Sequence, residues 1–290
     1  MFRTKNLLFF LLLLCCMTGS AKTKAPASEL PLQWNDLPKG AQWAVYQGTL
    51  FGEERSFAVF RCPLRNHKAE VASDPGRLEP RSADDPAAPD PLRPATTTSG
   101  FGERYDALAA INAGYFDMRT LFPTTFVLDE GEQEGETTPP ELGRVNGLIT
   151  MKGHKVKMGA CMPDGYRTFT GKYREAIASG PVLMADGKVV GNWDNGGFFD
   201  DSHPRSVIGT GGGYLFLLVI DGRFDNAKGT SIPNTAELCR MLGMEEAVNL
   251  DGGGSSALWV SGVGVISHPC DNRTFDHYGE RTIPNAIIVH

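Results

Sequence analysis

Hydrophobic and polar residues alternate along much of this chain with the two-residue period of β-strands. The first alternating segments, residues 41–46 and 56–61, flank a turn at Gly52 and predict an opening hairpin. A continuous apolar run at residues 214–220 predicts another strand, which ends at Asp221. Further strands are predicted at residues 110–117, 125–128, 145–151, 155–158, 176–184, 247–251, 258–260, 263–266 and 280–289.

Only two segments favour helices. Residues 99–109 support a short one, and residues 233–243 carry an apolar face with Gly243 placed for the C-terminal cap. Strands therefore dominate, without regular strand–helix alternation and without an internal repeat. The pattern predicts the α+β class: a single domain with a central mixed, largely antiparallel β-sheet and few helices.

Two segments depart from this pattern. Residues 62–98 contain seven prolines among Ala, Asp and Arg, and have too few large apolar side chains to form a core. They predict a Pro-rich irregular excursion and not a domain. Residues 22–33 are predicted to be a polar linker, so the folded domain is expected at residues 34–290.

The N-terminus has the form of a targeting segment. Two basic residues precede an apolar run at residues 7–16, and small residues follow at 19–21. The run is too short for a membrane span, so residues 1–21 are predicted to be a signal peptide. The mature chain is then exported, periplasmic or extracellular, with no membrane span. Cys15 and Cys16 offer a lipid anchor as an alternative, ranked lower because large residues precede them, and an uncleaved anchor ranks third.

Composition narrows the classes of partner. The chain has 290 residues and a net charge of -6, and it shows no basic stripe, which argues against a nucleic-acid partner. Export makes disulfides feasible, and four cysteines remain after the predicted cleavage. They allow three pairings, between which the sequence does not choose, and they are equally consistent with small buried residues. These are Cys62, Cys161, Cys239 and Cys270.

The strongest candidate for chemistry is the stretch from Asp251 to Ser255. An apolar run ends at the carboxylate, and Gly252, Gly253 and Gly254 follow it. A hairpin turn with a capping Asp is the simpler interpretation, because an Asp-Gly pair is a common hairpin signal. Three glycines exceed what a hairpin needs, and their free N–H groups can form an anion site that a ligand approaches closely.

Polar residues elsewhere stand at strand ends. Asn112 and Asp117 flank two aromatic residues at the end of a predicted strand. His203 and Arg205 are two residues apart and share one side of an extended segment. Arg205 enters an otherwise apolar strand, so it needs an anionic partner, either internal or a ligand.

Taken together and in order, six motifs resemble the phosphodiester glycosidase domain family, from about residue 99 to the C-terminus. The family usually has Asn-Gly-Gly-Phe-Phe where this chain has Asn-Ala-Gly-Tyr-Phe, so Ala113 replaces a glycine. Bacterial members are exported and described as exopolysaccharide-related. The motifs are Asn112–Asp117, Ser179–Pro181, His203–Gly209, Asp221–Arg223, Asn249–Ser256 and Glu280–Asn285.

The resemblance implies hydrolysis of a sugar-1-phosphodiester at the sugar side, which releases a free sugar and a phosphomonoester. An oxocarbenium-like transition state requires a carboxylate, and the phosphate requires cations and N–H donors. The candidate carboxylates, in order of preference, are Asp251, Glu280 and Asp117. His203 is the candidate for protonating or binding the leaving phosphate. Candidate binding residues are Arg205, Arg223, Arg281 and Gly252 to Gly254 for the phosphate, with Asn112 and Ser255 for sugar hydroxyls.

The sequence leaves a divalent cation open. Asp117, Asp221, Asp251 and Asn249 carry oxygens suited to calcium or magnesium, but their spacing is not that of an EF-hand. Two other functions compete with the glycosidase. One is a non-catalytic module that binds anionic cell-surface polysaccharide. The other is a metal-dependent phosphodiesterase, which usually needs paired metals held by His and Asp.

Overall fold

The computed structural model describes residues 28–73, 95–191, 193 and 196–290. The predicted signal peptide, the first six residues of the predicted linker and most of the Pro-rich segment lie outside these ranges. Among the described residues, no helix is long and apolar enough to cross a membrane.

The described chain contains four α-helices and eighteen strands. The helices are α1 (Thr98–Arg104), α2 (Pro163–Thr170), α3 (Gly197–Asp200) and α4 (Ile232–Met241). The strands are β1 (Asn35–Asp36), β2 (Gln42–Leu50), β3 (Glu53–Pro63), β4 (Ala69–Ser73), β5 (Ala109–Asn112), β6 (Val127–Asp129), β7 (Glu132–Gly135), β8 (Gly147–Lys152), β9 (Lys155–Ala160), β10 (Glu175–Ser179), β11 (Val182–Ala185), β12 (Lys188–Val189), β13 (Arg205–Gly211), β14 (Tyr214–Ile220), β15 (Glu246–Asn249), β16 (Leu258–Val260), β17 (Gly264–Val265) and β18 (Asn285–Val289).

The strands form three sheets in one α+β domain, which confirms the predicted class. The eight-stranded sheet has the order β1-β2-β3-β14-β13-β15-β11-β12. The two five-stranded sheets have the orders β7-β6-β10-β8-β9 and β17-β16-β5-β18-β4. Every pairing between these described strands is antiparallel.

The main core lies where the inner faces of the three sheets meet. β14 shows why its sequence is apolar without interruption. Leu215, Leu217 and Val219 point into this core, whereas Phe216 and Leu218 point to the opposite face. That second face is covered by α4. Both faces of the strand are therefore buried, and its sequence does not alternate between apolar and polar residues.

Helix α4 begins slightly earlier than the sequence pattern predicts. The Ser231 hydroxyl accepts from the backbone N–H of Asn234 at 3.4 Å and caps the helix. Asn234 is therefore inside the first turn. Pro233 fits the first turn, where its missing N–H would have had no partner.

Two predicted boundaries need correction. The predicted linker at residues 22–33 is packed on the domain from its first described residues, because Leu30 is buried under α4's side of the large sheet. Glu29 also forms an ion pair with Arg240 at 2.9 Å. The predicted Pro-rich excursion contains β4, a regular edge strand that pairs with β18. Its residues Val71 and Ala72 are small or β-branched and buried on both sides.

Candidate active site

The glycine turn stands where two sheets meet. β15 lies in the large sheet between β13 and β11, and Asp251 follows it by two residues. The backbone N–H of Asp251 donates to the Ala113 carbonyl at 2.9 Å, just after β5 of a five-stranded sheet. The predicted strand end near Asn112 and the predicted site at Asp251 are therefore adjacent in space.

Asn112 holds this junction together. Its side-chain amide donates to the Asp251 carbonyl at 2.7 Å, and its side-chain oxygen accepts from the Ser206 hydroxyl at 2.7 Å. The same oxygen accepts from the Ala257 N–H at 3.2 Å. Only 1% of Asn112 is exposed, so its hydrogen-bonding groups serve the protein. Asn112 therefore ties the backbone of Asp251 to β13 and to Ala257 just before β16, and the contact with sugar hydroxyls suggested by the sequence stays a prediction.

Each glycine of the turn has its own steric reason. A Cβ on Gly252 would lie 2.7 Å from the Pro204 carbonyl oxygen. Gly253 has a φ of +63°, and its Cβ would lie 2.9 Å from the Arg223 guanidinium. A Cβ on Gly254 would clash with Asp271 and Arg281. Gly253 and Gly254 therefore allow charged side chains to lie directly against the main chain, and Gly252 allows the close approach of another backbone segment.

The Asp251 carboxyl is partly buried, and burial raises its pKa to about 6. The Ser255 hydroxyl, the Arg144 charge, the Gly252 N–H and the Arg281 charge act in the opposite direction. The Gly252 N–H donates to Oδ1 at 2.9 Å. A carboxyl with a pKa near the operating pH suits general acid–base or nucleophilic work.

Arg205 is a buried cation held by backbone oxygens. Its guanidinium donates to the carbonyls of Thr230 at 3.0 Å, Phe198 at 2.7 Å and Asp201 at 3.2 Å. Only 2% of the residue is exposed, and this burial lowers its pKa to about 10, so it stays charged at neutral pH. In the described part of the chain it forms no ion pair, and the internal anionic partner considered from the sequence is replaced by carbonyl dipoles.

Arg223 forms one wall of a cleft beside the turn. It has a φ of +70° and lies over Gly253, and its Nη1 is 3.7 Å from the Cys270 sulfur. The cleft has a volume of about 410 Å³ and is lined by Arg223, Cys270, Asp271 and Arg273. Arg223 and Arg273 outnumber Asp271, whose charge is paired with Arg281, so the cleft favours an anionic ligand.

His203 lies near the same cations. Burial lowers the pKa of its imidazole, and the charges of Arg205 and Arg223 lower it further. At neutral pH the ring is therefore mainly neutral. Its backbone pairs with Thr230, which fixes the segment before β13. A neutral ring can accept a hydrogen bond or donate one to phosphate. Of the two roles suggested by the sequence, it therefore suits binding of the phosphate better than proton donation.

Three further candidates occupy different surroundings. Arg281 forms a two-point pair with Asp271, with contacts of 2.7 and 2.8 Å, and lies against Gly254. Glu280 points elsewhere and accepts from the Ser99 N–H at 2.9 Å and from its hydroxyl, at the start of α1. Asp117 closes a local turn by accepting from the N–H groups of Arg119 and Thr120. The carboxylates of Glu280 and Asp117 are thus bonded to nearby groups of the protein.

Sequence reasoning missed a second wall near Asp251. Arg144 pairs with Glu141 at 2.6 Å and stacks over the Tyr115 ring at 4.1 Å. The Tyr115 hydroxyl donates to the Gly180 carbonyl at 2.8 Å and accepts from Asn249 at 3.1 Å. Arg144 lies in a short loop without any pattern around it, so no local signal could have identified it.

Sequence reasoning also missed a carboxylate–imidazole pair. His268 Nδ1 lies 2.8 Å from Asp221 Oδ2, and the His268 N–H donates to Oδ1 at 2.7 Å. The Ser56 hydroxyl donates to the same carboxylate at 2.5 Å. These contacts use the oxygens of Asp221 that had been considered for a metal.

The described residues contain no group of three or more His, Cys, Asp or Glu side chains arranged for a metal ion. The four cysteines considered for disulfides are all unpaired thiols in this structure. Cys62 and Cys239 are fully buried in the hydrophobic clusters. They therefore act as small core residues, which was one of the two interpretations left open.

A larger cavity, of about 630 Å³, lies away from the glycine turn near β4 and β10. Two of its carboxylates bind backbone N–H groups of the fold. Glu175 accepts from the Val71 N–H at 3.1 Å, and Asp129 accepts from the Ser73 N–H at 2.9 Å. They satisfy the free edge of β4, and for that reason the smaller cleft beside Gly253 is the better candidate site.

The sequence profile of the phosphodiester glycosidase family matches residues 105–290. This chain belongs to that family, and membership supports phosphodiester glycosidase chemistry at the level of the family. A comparison with curated proteins finds no match.

Solved structures share the fold at low identity. The catalytic domain of zebrafish N-acetylglucosamine-1-phosphodiester alpha-N-acetylglucosaminidase, auto-inhibited by its pro-peptide, is similar with a TM-score of 0.66 and 20% identity, over 91% of this chain and 86% of that one. A hypothetical protein from Synechocystis gives 0.62 and 14%, over 90% and 64%. A protein of Burkholderia pseudomallei described as exported gives 0.50 and 16%, over 83% and 75%. At these identities the likeness establishes the fold alone.

Proposed function

We propose that this protein hydrolyses a sugar-1-phosphodiester at the bond between the anomeric carbon and the phosphate oxygen. One observation carries the proposal: a carboxylate at the start of the glycine turn lies close to a guanidinium that packs against the same turn. Asp251 begins the turn, and Arg223 lies over Gly253 two residues later. The glycosidic carbon and the phosphate are likewise close neighbours in such a substrate.

The cleft beside Arg223 receives the phosphate. A phosphodiester carries one negative charge, and Arg223 and Arg273 line the cleft with two positive ones. Arg281 reinforces the positive field from behind Gly254, although its charge is balanced by Asp271. Charge-assisted hydrogen bonds of this kind fix both the position and the orientation of the phosphate.

Asp251 then faces the anomeric carbon. The C1–O bond breaks with its electron pair going to the phosphate oxygen, and the sugar acquires oxocarbenium character. The ionised carboxylate stabilises that charge, as nucleophile or as base for water. The leaving phosphomonoester is a stable anion in the cationic cleft, so the reaction needs little help from a strong acid. The neutral His203 beside Arg223 can bind this phosphate.

The deciding experiment is NMR of the mature chain with an α-N-acetylglucosamine-1-phosphate methyl diester, beside Asp251→Asn and Asp251→Ala. We expect free sugar and methyl phosphate from the wild type alone. Sugar-1-phosphate and methanol would instead indicate a phosphodiesterase cutting on the phosphorus side. Saturable binding without turnover of any sugar diester would indicate a carbohydrate-binding module.

Secretion is part of this proposal. A substrate of cell-surface polysaccharide or a related sugar diester is met outside the cytoplasm, and the predicted signal peptide at residues 1–21 would deliver the enzyme there. Fractionation of cells that express the full chain, with N-terminal sequencing of the product, tests cleavage near residue 21.

A further inference from the structure

Arg144 is a partly exposed charged side chain beside the site that the mechanism above does not use. It lies near Asp251, since it stacks on the Tyr115 ring, whose hydroxyl accepts a hydrogen bond from Asn249, two residues before Asp251. It does not line the Arg223 cleft. About a third of its side chain, 35%, is exposed, so a ligand can reach it.

The guanidinium of Arg144 is held in one orientation. Its Nε donates to Glu141 at 2.6 Å, and the Thr124 hydroxyl donates to the other Glu141 oxygen at 2.9 Å. The Tyr115 ring lies 4.1 Å below its plane, and the Phe198 ring lies 5.3 Å away. Only 8% of the Glu141 side chain is exposed, so the whole arrangement is rigid.

This orientation leaves the terminal nitrogens of Arg144 available. Within the residues that the structure describes, neither Nη atom donates a hydrogen bond to the protein. A guanidinium fixed through Nε and by an aromatic face presents its remaining N–H groups in a planar fork, which matches a carboxylate or a phosphate. The proposed function places the phosphate of the substrate in the Arg223 cleft, so a carboxylate is the anion left for Arg144. Because the side chain is already ordered, little entropy is lost when an anion binds.

The position of Arg144 relative to the reacting bond decides what it can contact. In the proposed complex the phosphate lies in the Arg223 cleft and the anomeric carbon lies at Asp251. The sugar ring at Asp251 then lies beside Arg144, which stacks on the buried Tyr115 ring. An anionic group on that ring comes within reach of the fork.

We propose that Arg144 binds a carboxylate on the sugar, so that the preferred substrates are 1-phosphodiesters of acidic sugars such as uronic acids. This inference rests on the proposed function and specifies the substrate class of the same site. Arg144 is then a specificity-determining residue, and Glu141 positions it.

A matched pair of substrates tests the inference: the 1-(methyl phosphate) diesters of glucuronic acid and of glucose. We expect the wild type to favour the acidic sugar at least tenfold in kcat/KM. Arg144→Gln should lower kcat/KM for the acidic sugar by about 10–100-fold and for the neutral sugar by less than about twofold, as expected for loss of a charge-assisted contact. Arg144→Lys should recover part of the preference.

Arg240→Gln is the control, because it removes an arginine on the exposed face of α4 that pairs with Glu29 and Glu237. It should leave both substrates unchanged. Circular dichroism of each variant establishes that the fold is intact.

Three results would overturn the inference. Equal cleavage of both sugars by the wild type would do so while the proposed function stands. A shift of the pH profile of Arg144→Gln by the same amount for both sugars, with their ratio unchanged, would show that Arg144 only adjusts Asp251. If neither sugar is cleaved, calorimetric binding of both diesters decides: equal affinities rule out the inference, and tighter, Arg144-dependent binding of the acidic diester supports it.

Discussion

Two Asp-Gly pairs end two central strands of the same sheet, yet they have opposite surroundings. Asp221 follows β14 and is 2% exposed, and Ser56 and His268 occupy its oxygens. Asp251 follows β15, is partly exposed, and has a pKa raised to about 6. The oxygens of Asp221 are bonded to protein groups. Asp251 is instead partly removed from water beside the cationic cleft. The two aspartates share residue type and strand position, so it is the raised pKa and partial exposure of Asp251 that mark the candidate site.

The largest expected effect comes from exchanging each carboxylate for its amide. Asp251→Asn should lower kcat/KM by about 10²–10⁴-fold, the usual range for a general acid–base group, and leave the fold intact. Asp221→Asn should instead reduce the free energy of unfolding by about 1.5–3 kcal/mol, because a buried charge-assisted hydrogen bond is lost. Turnover by NMR and urea denaturation of both variants measure the two effects. The comparison fails if Asp221→Asn matches the catalytic loss of Asp251→Asn at full stability.

A pH series sharpens the same contrast. Because the folded-state pKa of Asp251, about 6, lies above its ordinary 3.8, the folded protein binds this proton more tightly than the unfolded chain. The wild type should therefore gain stability relative to Asp251→Asn as the pH falls from 7 to 4. Its kcat/KM should fall about tenfold per pH unit below about 6, because the ionised carboxylate is the reactive form. Urea unfolding at both pH values and a pH–rate profile check this.

Loss of activity on the alkaline side of pH 6, with a rise below it, would contradict the role given to the ionised form. Asp251 would then act as a proton donor. The stability part of the prediction is independent of that outcome, since it follows from burial alone.

Substitution of two glycines, Gly254 and Gly187, distinguishes the cost of a steric clash from the cost of an unfavourable backbone angle. Gly254→Ala should destabilise the protein and lower kcat/KM, because the new Cβ displaces the Arg281–Asp271 pair that lies against it. Gly187 provides a matched control: its φ is +73°, but a Cβ added there would meet nothing within 4 Å. Gly187→Ala should cost only about 1 kcal/mol for its backbone angle and leave turnover unchanged. Thermal melts and initial rates distinguish the two variants. Equal effects in both would show that contact of Gly254 with the Arg281–Asp271 pair is not what requires a glycine there.

Local patterns in the sequence predicted most of the strands, the α+β class and the glycine turn, because each depends on residues that are neighbours in the chain. They missed the strands β1, β4 and β7 and the helices α2 and α3, whose sequences are short or polar. They also grouped Glu280 with Arg281. In an extended segment adjacent side chains point to opposite sides, and the structure sends Arg281 to the glycine turn and Glu280 to α1. Arg144 and His268 could not be predicted, since each gains its partners only when distant loops meet.

Substitution of Glu280 has the smallest expected effect, and it tests whether Glu280 belongs with α1 and not with the glycine turn. Its carboxylate accepts the Ser99 N–H and hydroxyl at the start of α1, as an N-terminal cap does. Glu280→Gln should therefore reduce the free energy of unfolding by about 0.5–2 kcal/mol, the usual range for a lost cap, and change kcat/KM by less than about twofold. Ser99→Ala, which removes the hydroxyl from the same contact, should behave alike. A catalytic loss in Glu280→Gln comparable to that of Asp251→Asn, with Ser99→Ala fully active, would show instead that the site needs two carboxylates. The separation between Glu280 and Asp251 would then become the basis for assigning retention or inversion.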